Sequence, residues 1–423
     1  MRHRMMRTTV VEIRQERIDA LMLDDTDINV PGLCGDASVP DNLMLAGITH
    51  PSCRFIVALT NDNAVNLHIA ITAKVMNPKV RGICRADSHE IEANMASFGT
   101  DYIIDPFDSF ARDLGLATYA PYQFLLSLWL HSEPGDELND AQIVPEGRWI
   151  VCGFGRFGQA IHEEMVSHGL SVQVIEPDAT RANLPADTII GDGTGEEKLT
   201  LAGVQQAVGV IAGTDDDSNN LSIIVTAKDL NPDLFVIVRQ NEHANRALFR
   251  ASPADVAMEP SGVIARKIRT ILTNHTIDEF LSLARARDDQ WARALTLRIR
   301  DLGHEMMPET WEVFVDEKNA PALVDTLRRG EELRIGHLMQ DYTDREHTLP
   351  VIALFHANDS GAFCLPPIHT LLKEGDKLLF LGDGFAQWKM KWSLQNESAL
   401  EYILTGEATP QTLVGKWLAA RLG

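Results

Sequence analysis

One glycine motif constrains the fold of this 423-residue chain more than any other feature of its sequence. The run GFGRFG at positions 153–158 has the spacing G-x-G-x-x-G, and it stands between a segment typical of a strand and a segment typical of a helix. In such a motif Gly153 makes a tight turn, Gly155 lets the backbone approach a pyrophosphate, and Gly158 lets the helix pack closely on the strand. Because free N–H groups at a helix start attract an anion, the sequence predicts a nucleotide-binding turn here.

An acidic residue follows this motif at the distance that nucleotide binding requires. The next apolar segment, residues 171–175, ends in Glu176, 18 residues after Gly158. A carboxylate at the end of this second strand accepts hydrogen bonds from a ribose diol and repels a 2′-phosphate, which favours NAD(H), ATP or ADP over NADP. The alternative is that Glu176 is only a solvated strand end.

The surroundings of the motif occur twice in the chain. Residues 54–106 align without gaps onto residues 208–260, and 17 of the 53 aligned residues are identical. The shared pairs include Thr60/Thr214, Asp62/Asp216, Asn66/Asn220, Lys74/Lys228, Pro78/Pro232, Arg85/Arg239 and Pro106/Pro260. A period of about 155 residues indicates two copies of one domain, in contrast to a solenoid of short units.

The first copy is shorter at its start than the second. When Glu12 is aligned with Glu176, only 11 residues precede it, whereas the second copy has about 27 residues from its first strand to the acid. The first strand, the glycine loop and most of the first helix therefore have no room. Either they were lost, or residues that belong upstream are missing from this chain. In both cases we expect the first copy to be unable to cradle a pyrophosphate by itself.

The predicted fold class is α/β, with two tandem Rossmann-like lobes, the first truncated, and a small α+β subdomain at the C-terminal end. Each copy alternates apolar strands with helical segments, which predicts parallel, doubly wound sheets with right-handed crossovers. The predicted limits are residues 1–130 for the first lobe, 131–147 for a linker, 148–285 for the second lobe, 290–385 for the α+β subdomain and 386–423 for a helical tail. The end of that tail is expected to be either an amphipathic docking helix or a simple surface helix.

Charge and cysteine content exclude several classes of function. The formal net charge of −22 argues against a nucleic-acid-binding surface, because phosphates would be repelled. The five cysteines are scattered and include no C-x-x-C pair, so neither a zinc site nor a disulfide framework is indicated. No apolar run is long enough to span a bilayer. We therefore expect a cytoplasmic protein without a metal site.

Two further patterns leave alternatives open. The acidic run Asp215-Asp216-Asp217 precedes an apolar helical segment, so it either caps that helix or binds a divalent cation. Arg239 and its repeat partner Arg85 each close a strand, and they are either surface salt-bridge residues or contacts to a ligand or to the other lobe.

In their order along the chain, these motifs resemble RCK domains, the regulator-of-potassium-conductance domains of potassium channels and of Trk-type uptake systems. The resemblance rests on the glycine loop, on Glu176, on GDGT at 191–194, on GTDDDSNN at 213–220 and on Val238-Arg239, and it covers about residues 8–275. More faintly, residues 349–382 look like the C-terminal ligand-sensing subdomain of that family. The resemblance implies a cytosolic, non-enzymatic gating subunit that binds NAD(H) or an adenine nucleotide and controls a membrane potassium channel or transporter.

The resemblance also implies which residues of the second lobe bind the nucleotide. They are Gly153, Phe154, Gly155, Arg156, Phe157 and Gly158 at the phosphates, Glu176 at the ribose, Asp192 at the adenine side, and Thr214, Asp215 and Arg239 closing the site. The first copy keeps Asp36, Thr60 and Arg85 but has no glycine loop, and no catalytic residue is implied in either copy.

Two other classes of function fit the same sequence. An NAD-dependent oxidoreductase uses this fold, but it needs a proton donor or acceptor beside the nicotinamide, and no such arrangement stands out here. A purely structural assembly module would leave the glycine loop vestigial, and we prefer that interpretation for the first copy alone. Two lobes per chain predict a homo-oligomer, a dimer or a ring, at the cytoplasmic face of the membrane. A partner or an upstream pore segment would hold it there.

Overall fold

A computed structural model describes residues 7–23, 30–86, 89–140, 144–273 and 275–407 of the chain. Contacts between residues divide the chain into two compact units. The first unit comprises residues 1–115 and 145–268, and the second comprises residues 116–144 and 269–423. The first unit contains both copies of the repeat. The domain limits drawn from the sequence remain predictions.

The described residues form the following strands and helices. The strands are β1 (Val10–Glu12), β2 (Gly32–Cys34), β3 (Phe55–Ala58), β4 (Arg81–Arg85), β5 (Tyr102–Ile104), β6 (Arg148–Cys152), β7 (Ser171–Glu176), β8 (Ile189–Ile190), β9 (Gly209–Ala212), β10 (Phe235–Arg239), β11 (Val256–Met258), β12 (Glu309–Phe314), β13 (Gln340–Asp341), β14 (Asp344–Thr348), β15 (Val351–Asn358), β16 (Gly361–Cys364) and β17 (Lys377–Gly382). The helices are α1 (Gln15–Leu23), α2 (Pro40–Leu45), α3 (Asn63–Met76), α4 (His89–Ser97), α5 (Pro106–Tyr119), α6 (Pro121–Leu130), α7 (Arg156–Ser167), α8 (Glu196–Leu201), α9 (Asp217–Leu230), α10 (Arg246–Ala251), α11 (Pro260–Thr273), α12 (His275–Ala284), α13 (Asp289–Gly303), α14 (Pro321–Arg328), α15 (Ile335–Leu338), α16 (Gly384–Gln395) and α17 (Glu397–Thr405).

The second lobe is built on one sheet of six parallel strands. Their order is β8-β7-β6-β9-β10-β11, so the chain winds outward from β6 first in one direction and then in the other. Ile150 and Val210 of the central strands pack with Ile223 of α9 in a common core. This arrangement confirms the predicted doubly wound sheet, and such a sheet binds ligands where the winding direction reverses, at the carboxyl ends of β6 and β9.

The strands of the first lobe form two separate parallel sheets, β1-β2 and β3-β4-β5. By the repeat, β1 and β3 correspond to β7 and β9, which flank β6 in the second lobe. Within the described part of the first lobe, no strand lies between β1 and β3. In the described residues β1 and β3 thus lie in separate sheets. Val57 of β3 is 39% exposed, whereas its counterpart Ile211 of β9 is fully buried.

Both lobes keep one polar network at the start of a long helix. Asn66 accepts a hydrogen bond from the Thr60 N–H and donates to the Arg85 carbonyl, as Asn220 does with Thr214 and Arg239. Asp62 and Asp216 are the N-cap residues that directly precede α3 and α9. Their short carboxylates accept hydrogen bonds from free N–H groups in the first turn of each helix. Both helices end before an Asn-Pro pair, since the residue before proline avoids the helical region.

The second unit contains a four-stranded antiparallel sheet in the order β12-β17-β15-β16. Alternate side chains of its strands face opposite sides. Ala353 and Phe380 share a core with residues of α14, α15, α16 and α17, while Leu354 and Leu381 share a core with residues of α6, α12 and α13. The sheet confirms the predicted α+β character of this part of the chain.

None of the helices in the described residues combines the length and the apolar character that a bilayer span requires.

Candidate nucleotide-binding site

The glycine loop joins the central strand β6 to α7. Gly153 has a φ of +92°, a backbone conformation that side chains disfavour. An added Cβ at Gly158 would lie 2.0 Å from the Gly153 carbonyl oxygen, so the helix sits directly on the loop. A Cβ at Gly155 would meet only a guanidinium nitrogen of Arg181, at 3.6 Å. The first and third glycines are therefore required by the turn and by packing, while the second leaves the loop open on its outer side.

The start of α7 offers hydrogen-bond donors to a ligand. Gly155 is the N-cap residue, and no side chain in the described residues caps this helix. The first N–H groups of a helix have no partner within it, and the helix dipole places partial positive charge there. An anion at this end of α7 would satisfy both, which is the geometry that a pyrophosphate needs.

The two aromatic residues of the motif face inward. Phe154 is 2% exposed and contacts the ring of His162 edge-on, and Phe157 is fully buried. Their side chains thus fix the loop against the lobe and are not exposed to a phosphate.

Glu176 is buried beside the glycine loop. One of its oxygens accepts a hydrogen bond of 2.6 Å from the Phe154 N–H, and the other accepts from the Asp178 N–H at 3.1 Å and pairs with Arg181 at 3.2 Å. The alternative of a solvated strand end is therefore wrong. Glu176 instead ties the end of β7 to the glycine loop, and its contact with a ribose stays a prediction.

Asp192 lies in the loop after β8, next to the end of β7. The hydroxyl and the N–H of Thr194 both bond to its carboxylate, and these bonds lower the pKa of Asp192 below its usual value. The following residue, Gly193, packs against Cys152 of β6, since an added Cβ would lie 2.7 Å from the sulfur. The loop is thus held against the carboxyl end of the central strand.

Thr214 faces Gly153 across the crevice between β6 and β9. An added Cβ at Gly153 would lie 3.1 Å from Cγ2 of Thr214. The Thr214 N–H and hydroxyl both donate to Asn220, at 2.9 and 2.7 Å. These bonds fix Thr214 beside the glycine loop without a ligand.

Two residues of the acidic run after β9, Asp216 and Asp217, accept hydrogen bonds from backbone N–H groups. Asp216 caps α9 by accepting from the Asn219 N–H, and buried Asp217 accepts from the N–H groups of Asn241 and Glu242. Asp215 is exposed. In the part of the chain that the structure describes, no group of three or more His, Cys, Asp or Glu residues is placed to bind a metal ion. The hydrogen bond that Asp216 accepts from the Asn219 N–H supports the capping interpretation.

Arg239 at the end of β10 is partly buried, and its Nε atom is buried without a hydrogen-bond partner among the described residues. Burial, and after it the charge of Arg156, lower the pKa of Arg239 below its usual value. Since a buried donor without an acceptor is costly, the arrangement suits an anion. The open glycine loop, the uncapped helix start and this unused donor together fit the phosphates of a nucleotide.

Two residues that contact the candidate site, Arg181 and Phe107, were not among the site residues predicted from the sequence. Arg181 pairs with Glu176, and a basic residue five positions after the acid was the only signal for it. Phe107 contacts both Arg156 and Arg239, although it stands in α5 after the first copy of the repeat. No sequence pattern indicated that contact.

The chain is similar in sequence to potassium transport proteins. The chain is 27% identical to potassium channel protein 1 of Methanocaldococcus jannaschii over 169 residues, which are 38% of this chain and 51% of that protein. It is 27% identical to a Trk system potassium uptake protein TrkA homolog of Pyrococcus horikoshii over 135 residues, 29% of this chain and 59% of the other. The chain thus spans about half the length of these relatives.

Solved structures share the fold over most of the chain. The RCK domain of GsuK superposes with a TM-score of 0.51 at 14% identity, covering 92% of this chain and 89% of that one. The GsuK channel bound to NAD gives a TM-score of 0.53 at 13% identity, covering 92% and 74%. At such identities the likeness shows the fold alone.

The family model of the TrkA-N domain matches residues 1–106 and 149–260, the two copies of the repeat. The two matches together cover more than half of the sequence. The chain therefore belongs to the TrkA-N domain family.

Proposed function

We propose that this chain is a regulatory module that binds NAD(H), ATP or ADP in its second lobe and thereby controls a membrane potassium channel or transporter. One observation carries the proposal. The glycine loop is open at Gly155, at the uncapped start of α7, beside the carboxylate of Glu176. The GsuK channel, which shares the fold, binds NAD, and this supports NAD(H) as the ligand.

The proposed partner follows from the names of relatives. They include potassium channel proteins, TrkA homologs and a glutathione-regulated potassium-efflux protein, KefC. In the proposed mechanism the nucleotide binds one arrangement of the lobes more tightly and shifts the population toward it. Such coupling is typically worth about 1–3 kcal/mol. The module would act at the cytoplasmic face of the membrane, attached to that partner.

The proposed role is binding without turnover of the nucleotide. The site residues named above bind phosphate, ribose and adenine, and none is assigned a proton transfer. An NAD-dependent oxidoreductase is the alternative. Steady consumption of NADH with a small carbonyl substrate would favour that alternative.

The binding site is tested by Gly155→Asp in the full chain. Aspartate is a favourable N-cap residue, and an added Cβ has space at Gly155, so the variant should fold. Its carboxylate would occupy the position where the pyrophosphate passes and would repel it. We expect calorimetry to show micromolar binding of NADH or ADP to the unmodified chain and none to Gly155→Asp.

Gly195→Asp is the matched control. Gly195 is also an N-cap glycine of the second lobe with an extended backbone, and an added Cβ there would have no neighbour within 4 Å. We expect this variant to bind nucleotide as the unmodified chain does. Nucleotide affinity of Gly155→Asp equal to that of the control would contradict the proposed site.

We further propose that chains associate into a dimer or a ring. Two lobes per chain provide repeated surfaces for such contacts. Light scattering over a wide concentration range tests this, and a monomer at every concentration would contradict it.

A further inference from the structure

Phe107 follows the first copy of the repeat in sequence but contacts residues of the candidate nucleotide site in the second lobe. It stands in the first turn of α5, directly after Pro106. Its side chain is 2% exposed and contacts Phe157 of α7 edge-on, with ring centres 5.9 Å apart. Phe157 in turn packs against Gly213, where an added Cβ would lie 2.8 Å from its ring. Contacts thus run from α5 to the loop that follows β9.

The Phe107 ring also holds two guanidinium groups of the candidate site. Cζ of Arg239 lies 4.8 Å from the ring centre, and Cζ of Arg156 lies 5.3 Å from it. The negative face of an aromatic ring attracts cations at such distances. Two like charges near each other repel. The attraction of each guanidinium to the ring therefore opposes the repulsion between the two arginines.

While its guanidinium group contacts the Phe107 ring, Arg239 still has one N–H group that can donate to a ligand. Its Nε is buried and has no hydrogen-bond partner in the described residues. The nearby carboxylate of Asp217 is already engaged with the N–H groups of Asn241 and Glu242. An oxygen of a bound anion could therefore accept the hydrogen bond that the Nε–H group of Arg239 offers.

We propose that Phe107 is a positioning residue of the nucleotide site, which holds Arg156 and Arg239 at its ring for the phosphates bound at the glycine loop. The inference rests on the proposed function and extends it. It gives the segment that ends the first lobe a part in nucleotide binding by the second. Without the ring the two arginines lose this contact and are positioned less closely for the phosphates, so affinity for a charged nucleotide falls.

The test is calorimetric titration of the full chain with ADP. Phe107→Met keeps an apolar side chain of similar size but removes the ring, and we expect roughly 5- to 20-fold weaker binding. Phe110→Met is the matched control, because Phe110 contacts the same Phe157 ring, with centres 5.7 Å apart, and no guanidinium is stacked on it in the described residues. We expect the control to change the affinity by less than about twofold.

Arg239→Gln distinguishes positioning from packing. If Phe107 acts through the arginines, Phe107→Met adds little to the loss already caused by Arg239→Gln. Full additivity of the two losses would overturn the inference, because it would show that the ring acts by packing alone.

A fluorinated ring keeps the test valid if Phe107→Met fails to fold. Trifluorophenylalanine at position 107 retains the shape of the side chain but removes negative charge from the ring face. We expect it to weaken ADP binding, while the same replacement at position 110 does not. Equal affinity of the 107 and 110 variants overturns this inference alone. The same variants are titrated with NADH, and absence of binding of ADP, ATP and NADH by the unmodified chain overturns the proposed function as well.

Discussion

The two lobes carry the same polar network, but among the described residues only the second lobe has a central strand, β6, that continues into a glycine loop. Asn220 accepts from the Thr214 N–H at 2.9 Å in the second lobe, and Asn66 accepts from the Thr60 N–H at 2.9 Å in the first. The network thus persists in a lobe whose sequence has no glycine loop. It serves as a scaffold that joins two strand ends to a helix start, and its presence alone does not indicate a nucleotide.

The difference between the lobes isolates what a nucleotide requires. In the second lobe β6 fills the space between β7 and β9 and continues into the loop at Gly153. In the first lobe the corresponding strands β1 and β3 belong to separate sheets. One strand, its loop and its helix therefore account for both the joined sheet and the candidate site, and variants at matched positions test this comparison.

The largest expected effect concerns equivalent apolar residues of β9 and β3. Ile211 is fully buried in the joined sheet, so Ile211→Ala should lower the free energy of unfolding by about 3 kcal/mol. Val57 is 39% exposed, and Val57→Ala should cost less than about 1 kcal/mol. Urea unfolding measures both. Equal losses would show that the first lobe is packed as tightly as the second and would break the comparison.

An intermediate effect is expected where the lobes are alike. Asn66 and Asn220 are both fully buried, and replacement of either by Ala leaves buried backbone groups without partners. Each variant should lose about 2 kcal/mol of stability. Hydrogen exchange that resolves the two lobes would localise each loss. A loss confined to Asn220→Ala would contradict the assignment of the network as a common scaffold.

The smallest effect concerns equivalent acids near the end of each copy. Burial alone would raise the pKa of Glu259, but hydrogen bonds from Arg246, His243 and Ser261 outweigh it and lower the pKa to about 2. At the equivalent position Asp105 instead caps α5, accepting from the Phe107 N–H.

Because the pKa of Glu259 is lower in the folded state than its ordinary value of 4.5, its contribution to stability is complete above pH 4.5 and is lost as the pH falls toward 2. Glu259→Gln should cost about 1 kcal/mol at neutral pH and less as the solution becomes more acidic. Unfolding measured from pH 7 to pH 3 tests this. A constant difference between variant and unmodified chain over that range would contradict it.

Local sequence patterns predicted the elements of each lobe. The glycine spacing predicted the strand, turn and helix around Gly153. The alignment of Glu12 with Glu176 predicted that the residues before Glu12 in this sequence leave no room for a first strand. Both follow from periodicity and from counting residues. These patterns concern contacts within one copy of the repeat, where position in the chain largely fixes position in the sheet.

Such patterns did not predict which side chains contact each other. The sequence placed Glu176 at the strand end but did not show that its oxygens are engaged by the Phe154 N–H and Arg181. The contacts of Phe107 with Arg156 and Arg239 depend on how the two copies pack against each other. That packing is set by complementary surfaces, and hydrophobic periodicity carries no information about it.

The separate sheets of the first lobe also affect how these chains behave in concentrated solution. Among the described residues β1 pairs only with β2, and β3 pairs only with β4 in the sheet β3-β4-β5. Each of these two strands therefore has one edge without a strand partner in that part of the chain, and such an edge is a template on which another chain can anneal. The formal charge of −22 opposes such annealing, because strongly acidic chains repel one another. Since salt screens this repulsion over distances of about 10 Å at 0.1 M, ionic strength sets how closely two open-edged lobes can approach.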